Sequence, residues 1–379
     1  MTHGAAQGQT EREPAEASAF LVDMARALAA NGTPAHRLEA VMTSIAERLG
    51  LEAEFFATPT SVFASIGRPG EPPITTMTRT QPSDINAERV IDLDELLDAV
   101  AAGEVSPAEA RVRVREIRAR PDRYGMWATA IGIGVASACA GRFFGGGLEE
   151  MLSSLLVGLI VGSLAIVSST RREFGRLIDF SCGLVSALGA AMIAAYISPM
   201  QVQIVTLAGV IALVPGLSLT VAINELATRN LVAGGARLIG AITILVSIGF
   251  GVALGGKLAE MSGLERSIDA VPLPEWTEYA ALAVAPIALA VLFRVPPRFF
   301  GVVTLIGVAA YLGAREGSDW LGPELGVSVG AAAAGVLSNL FCRFARRPVA
   351  VVLMPAIILL VPGAIGFRSV SSFLEADAI

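Results

Sequence analysis

The chain twice sets Val-Pro-Gly inside a run of aliphatic residues. Val214-Pro215-Gly216 lies within 211–226 and Val361-Pro362-Gly363 within 358–373, the two prolines 147 positions apart. A proline within a helix removes one backbone N–H and collides with the carbonyl four residues earlier, here that of Ile211 or Ile358. The glycine that follows loosens the next residue. In hydrocarbon an unpaired peptide group is costly, so such breaks persist only where protein or a water-filled cavity covers them. Their chemistry is that of main-chain dipoles: freed N–H groups face an anion and freed carbonyls a cation, and a zwitterionic amino acid needs both. A plain proline kink explains either motif alone; a matched pair points to a binding site at Pro215, Gly216, Pro362 and Gly363.

Polar side chains beyond the first break, Ser218, Thr220 and Asn224, are candidates to line that site. If the helix restarts at Gly216, Glu225 lies about 13 Å further along at 1.5 Å per residue. Asp179 enters an apolar run near one end. Carboxylates at such depths are candidates for a proton relay, although interfacial residues in contact with water are the plainer reading of both. Catalytic residues are not expected: the chain has no G-x-S-x-G elbow and no Walker loop. No metal or other cofactor is expected either, since Cys139, Cys182 and Cys342 lie far apart in apolar runs and His3 and His36 are the only histidines.

The elements that must position these residues follow from composition. Only 16% of the 379 residues are charged and 54% are hydrophobic, whereas a water-soluble protein carries about 25% charged residues. The deficit is uneven. Residues 1–124 hold 13 of the 28 basic and 19 of the 34 acidic residues; the remaining 255 hold 15 of each. That second part contains nine apolar runs, 125–144, 150–169, 177–197, 201–223, 237–257, 277–293, 298–314, 324–341 and 348–366, near the ~20 residues a spanning helix needs. Arginines mark every second loop: Arg115 to Arg123, Arg171 to Arg176, Arg229 with Arg237, Arg294 with Arg298, and Arg343 to Arg347. By the positive-inside rule the segment before the first run is cytoplasmic.

Shifting the first half by 147 residues brings run two onto seven, three onto eight and four onto nine, with Trp127 beside Trp276 and the two Val-Pro-Gly motifs in register. A five-span unit repeated once must enter from opposite sides, so the repeats are inverted, as in many secondary transporters. The run at 237–257 has no counterpart before Ile379, and truncation is the expected cause. The N-terminal part reads as a small α+β domain. Phe20, Leu21, Met24 and Leu28 repeat at helical spacing, and a second helix carries Leu38, Val41, Met42, Ile45 and Leu49. Three β-rich runs follow, then two helices, the last opened by the capping box Ser106-Pro107-Ala108-Glu109. A gating or scaffolding role suits this domain better than a hidden hydrolase.

The stretches IDLDELLDAVAAGEVSPAEARVRVREI, LVPGLSLTVAINELATRNLVAGGARL and LLVPGAIGFRSV together resemble the bacterial threonine/serine exporter family, a likeness running from about Phe20 to the C-terminus. The resemblance implies a cytoplasmic N-terminal domain followed by ten helices in two groups of five. It also implies export of threonine and serine across the bacterial inner membrane, driven by the proton gradient. Some family members that occur as two separate proteins are linked to dicarboxylate export.

The sequence is therefore expected to be mainly α: a polytopic helical membrane protein with two inverted five-helix repeats, the second incomplete, behind a small cytoplasmic α+β domain. The boundaries are a disordered tail 1–17, the cytoplasmic domain 18–123, and repeats at 124–260 and 261–379. Substrate would bind at Pro215, Gly216, Ser218, Thr220, Asn224, Pro362 and Gly363, with protons passing through Asp179 or Glu225. The expected partners are the lipid bilayer, a small amino acid, protons and further copies of the chain, but not nucleic acid. The alternatives are an exporter of small dicarboxylates such as succinate and, from another class, a membrane-embedded enzyme.

Overall fold

A computed structural model describes residues 3–80, 85–169, 175, 177–264, 267–345 and 348–360. Contacts divide the chain into two units: 1–122 with 219–239 and 345–351, and 123–218 with 240–344 and 352–379.

The first unit opens with α1 (His3–Ala30) and α2 (Ala35–Arg48), continues through β1 (Glu52–Thr58), β2 (Ser61–Gly67) and β3 (Ile74–Arg79), and closes with α3 (Ala87–Ala101) and α4 (Pro107–Ala119). The strands form an antiparallel meander in the order β1-β2-β3. Period-two alternation turns Phe55, Ala57, Val62, Ala64 and Ile66 inward, where they join Phe20, Leu21, Met24, Leu38 and Met42 in one core. Gly32, at φ +80°, takes the left-handed conformation that ends α1. Of the expected capping box, the first half forms: Ser106 Oγ accepts the Glu109 N–H at 3.3 Å. The Glu109 carboxylate pairs instead with Arg113, at 2.6 Å. α1 begins at His3, within the expected tail 1–17. Its Ala, Gln, Glu and Arg are good helix formers, and a helix nucleated by the buried stretch from Ala17 to Leu28 extends back through them.

The second unit and the segments adjoining it hold the apolar runs, which fall on helices where they are described. They are α5 (Met126–Phe143), α6 (Leu148–Ser169), α7 (Ile178–Tyr196), α8 (Val202–Val210), α9 (Gly216–Ala227), α10 (Leu231–Met261), α11 (Trp276–Leu292), α12 (Phe300–Leu321), α13 (Pro323–Ala345) and α14 (Ala350–Leu360). Among the described residues five of these, α6, α7, α10, α12 and α13, are long and apolar enough to cross a membrane, and α8 with α9 makes a sixth if the bent pair is one span. The nine expected spans are thus reduced by that measure. The described apolar stretches of α11 and α14 are shorter than a span, and α5 carries Arg142 in its last turn.

The exposed faces identify the solvent. On α6 the outward residues are Leu148, Leu152, Leu156, Ile160 and Val167, while Ser153, Ser154 and Ser168 are buried. On α10 Ile239, Ile242, Val246, Phe250 and Leu254 face out. A helix with its apolar stripe outside and its hydroxyls inside suits hydrocarbon rather than water.

Small residues bring the helices together, as the Gly158/Gly162 and Gly251/Gly255 spacings predict. A Cβ on Gly158 would collide with Ser137 of α5, and one on Gly162 would lie 3.0 Å from Ile133. On α10, a Cβ on Gly251 would meet the Phe180 carbonyl, and one on Gly255 would lie 2.8 Å from that of Leu184. Another seam joins α5 to α11. Gly132 lies against Ala288 and Val291, Ala136 against Leu289, Cys139 against Ala281 and Ala285, and Arg142 against Thr277. As numbers rise along α5 they fall along α11, so the two helices run antiparallel.

Candidate functional site

The first break forms where the sequence places it. α8 ends in a 3-10 turn, Ile211–Leu213, and Val214 is extended at φ −62°, ψ 123°. α9 then starts at Gly216, bent 56° from the preceding segment. Pro215 and Gly216 are both buried. The Ile211 carbonyl, which Pro215 denies its helical partner, accepts the Val214 N–H at 3.3 Å, and the Gly216 N–H donates to the Val214 carbonyl at 2.8 Å. The break is therefore a hydrogen-bonded corner, and the Ile211 carbonyl is already engaged.

The other predicted residues distribute unevenly. Ser218 and Thr220 are half-buried, whereas Asn224 is exposed beside Ile223 and Ala227. A 100° step per residue places Asn224 off the face that buries Ala222 and Glu225. Asp179 is half-buried in the first turn of α7. Pro362 and Gly363 lie outside the described residues. The residues leading to them, Ile358 and Leu359, pack against the α5–α11 seam, and the 3-10 turn before Pro215 packs against α5.

Glu225 occupies an environment that its sequence position does not suggest. It is fully buried and belongs with 219–239 to the first unit. Its Oε2 accepts Arg237 Nε at 3.1 Å and its Oε1 accepts Arg237 Nη2 at 3.3 Å. Oε1 also accepts the Ala35 N–H at 2.9 Å. Ala35 is the first residue of α2, so the carboxylate sits on the positive end of that helix. Two residues before Gly235, Ala233 of α10 joins the core of the N-terminal unit. The contacts thus draw the boundary differently from 18–123 and 124–260, because the first turns of α10 and most of α9 pack with the N-terminal domain. At 31 residues α10 is about 46 Å long, more than the ~30 Å of hydrocarbon, which leaves those turns free to do so.

A second polar cluster lies on the α5–α11 seam. Arg142 is buried, its Nε donating to Thr277 Oγ1 at 2.8 Å. Its Nη2 lies 3.9 Å from Glu278 Oε2. The other oxygen of Glu278 accepts the Tyr311 hydroxyl at 2.6 Å and stands 3.6 Å from Arg315. The sequence offered one signal: Arg142 is a charge inside the first apolar run, at the end where the arginine alternation leaves the loops without a basic mark. Only tertiary packing shows that Thr277, Glu278 and Tyr311 meet it. A different carboxylate, Glu150, is buried with both oxygens on backbone N–H groups, those of Gly147 and Gln201 at 2.8 and 2.9 Å, and serves to tie α6 to the start of α8. Among the described residues no group of His, Cys, Asp and Glu is arranged to hold a metal ion.

A bundle of helices with apolar outer faces, one of them broken at a Val-Pro-Gly corner, defines a multi-pass membrane protein. A family model for threonine/serine exporters matches residues 19–259, and a second, "Threonine/Serine exporter, ThrE", matches 278–379. The chain belongs to the threonine/serine exporter family. It is 26% identical over 95% of its length to pheromone-regulated membrane protein 10 of Pichia sorbitophila, and 24% identical over 94% to that of Saccharomyces cerevisiae. An uncharacterised protein of Schizosaccharomyces pombe is 24% identical over 90%. The chain spans less than half of each, 38%, 49% and 43% of their respective lengths. No solved structure matches it significantly.

Proposed function

We propose that the protein exports threonine and serine across the bacterial inner membrane in exchange for protons, its N-terminal unit lying in the cytoplasm. The observation that carries this reading is the antiparallel α5–α11 seam. These are corresponding helices of the two halves, and inverted repeats require them to run in opposite directions. The segments leading into both Val-Pro-Gly breaks approach this same seam, as they would if Pro215, Gly216, Pro362 and Gly363 framed one solute site. Ser218 and Thr220, half-buried beyond the first break, supply hydroxyl partners for a hydroxy-amino acid; Asn224 is a poorer candidate because of its exposure. Further copies of the chain as partners fit this reading without being needed by it.

For the proton path, Asp179 is the better of the two carboxylates. Glu225 is already committed to Arg237 and to the Ala35 N–H, so it would take part in a relay only if that arrangement opened. Export of dicarboxylates needs two cationic partners for one solute. Arg142 and Arg237 each face a glutamate instead, which favours a zwitterion.

Proteoliposomes loaded with threonine and given an inward proton gradient test the proposal. Efflux should require the gradient and fall in Pro215→Ala and Asp179→Asn. Efflux indifferent to the gradient and to both substitutions would overturn the mechanism, and preferential efflux of succinate would overturn the substrate.

A further inference from the structure

We propose that Arg142, Glu278 and Tyr311 form a subsite for the two charged ends of the transported amino acid, Arg142 taking the carboxylate and Glu278 the ammonium. The inference rests on the export reading above and adds residues to it.

Three observations lead here. First, an arginine buried in an apolar bundle is costly unless it is paired, yet Arg142 and Glu278 stand 3.9 Å apart, beyond the ~2.7–2.9 Å of a direct charge-assisted hydrogen bond. The pair is loose where burial would reward a tight one. Second, Glu278 is divided among several donors. Tyr311 holds one oxygen while Arg142 and Arg315 approach at longer range, so a newcomer's ammonium can replace one of them without stranding the carboxylate. Third, the cluster lies on the seam against which Leu359 packs, beside Cys139 and Ala285. Arg142 follows Cys139 by three residues, about 4.5 Å along α5, so the cluster stands about one helical turn from where Leu359 packs.

The chemistry fits a zwitterion. A guanidinium presents a planar fork that matches a carboxylate, a carboxylate with a phenol beside it suits an ammonium, and the hydroxyl of Thr277 holds the Arg142 side chain in place through Nε. Since the two charges currently face each other, the solute must part them as it binds. The same residues would then close the seam when it is empty and bind the substrate when it is open.

The test uses the full chain in proteoliposomes by counterflow, with internal threonine driving uptake of labelled threonine. The competitors are threonine, threonine methyl ester, which lacks the negative end, and 3-hydroxybutyrate, which lacks the positive one. In the unaltered protein threonine should compete at least tenfold better than either analogue, the worth of one charge-assisted contact, roughly tenfold or more. Arg142→Gln should weaken threonine without weakening the ester, so that discrimination between the two collapses. Glu278→Gln should do the same for threonine against 3-hydroxybutyrate. Arg142→Lys and Glu278→Asp, which keep the charges, should retain part of each discrimination and carry the test if a neutral variant does not yield a monodisperse protein. Variants that weaken all three competitors equally, or that change none, would reduce the cluster to a strut between helices and overturn the subsite while leaving threonine transport standing. Absence of threonine counterflow in the unaltered protein would instead overturn the export reading, and the subsite with it.

Discussion

Two glutamate–arginine pairs, one in each unit, use the same residue types for opposite ends. Glu225 is fully buried, grips Arg237 with both oxygens at 3.1 and 3.3 Å, and accepts a backbone N–H from the start of α2. Glu278 is 24% exposed and meets its arginines at 3.6 and 3.9 Å, with a tyrosine closer than either. A sealed carboxylate with every oxygen committed is a fastener, because removing one partner leaves a charge with nowhere to go. A partly exposed carboxylate shared among loose donors can exchange them at little cost. The difference assigns Glu225 to holding α9 and α10 within the N-terminal unit, and Glu278 to steps in which partners change.

Removing Arg237 should break this contrast most strongly. Arg237→Ala leaves Glu225 buried with only the Ala35 N–H, and an uncompensated buried charge costs about 3–5 kcal/mol. Denaturation of the purified protein in detergent should show a large drop in stability, and Glu225→Ala on top of it should restore part of the loss. A single variant as stable as the parent would mean that the pair is not sealed. Glu225→Gln should cost less, about 1–3 kcal/mol, since the amide oxygen can still accept from Ala35 and Arg237, 18% exposed, can turn towards water.

Glu278→Gln sharpens the contrast from the other side. Its effect on stability should be smaller than that of Arg237→Ala, because Arg142 keeps Thr277 and the amide oxygen can still accept from Tyr311, even while transport suffers. A loss as large as that of Arg237→Ala would place both pairs in the same structural class and remove the reason for treating them differently.

How much of this was legible in the sequence depends on the range of the interaction. The breaks at Pro215 and Pro362, the apolar runs and the Ser106 cap are encoded within a few residues, and the described ones appear where the spacing puts them. The corner at Pro215 keeps its own hydrogen bonds through the Ile211 and Gly216 contacts, a local solution that a count of missing N–H groups does not reveal. Glu225 lies in an apolar stretch of sequence, but its environment is set by Ala35, 190 residues earlier. The partners of Arg142 lie 135 or more positions away. Long-range pairing of charges leaves no period in the sequence, so composition can flag Arg142 as anomalous without naming what it meets.

The smallest expected effect concerns Glu39, one turn beyond Ala35 on α2. Burial pushes its carboxyl above the ordinary value of 4.5, the Ala57 N–H and His36 oppose the shift, and the nearby negative charge of Glu225 adds to it. A group whose folded pKa is raised binds more protons when folded, so its contribution to stability is complete below the unfolded value and is lost as pH rises through the folded one. Glu39→Gln keeps an acceptor for the Ala57 N–H, which now donates to Glu39 at 2.8 Å, but cannot titrate. Stability of the variant relative to the parent should therefore rise as pH climbs from about 4.5 and then level off. The increment should be smaller than any effect above. In a Glu225→Gln background it should shrink further, because the like charge that helps raise Glu39 is gone. An increment that does not depend on residue 225 would show that the sealed pair exerts no field on α2.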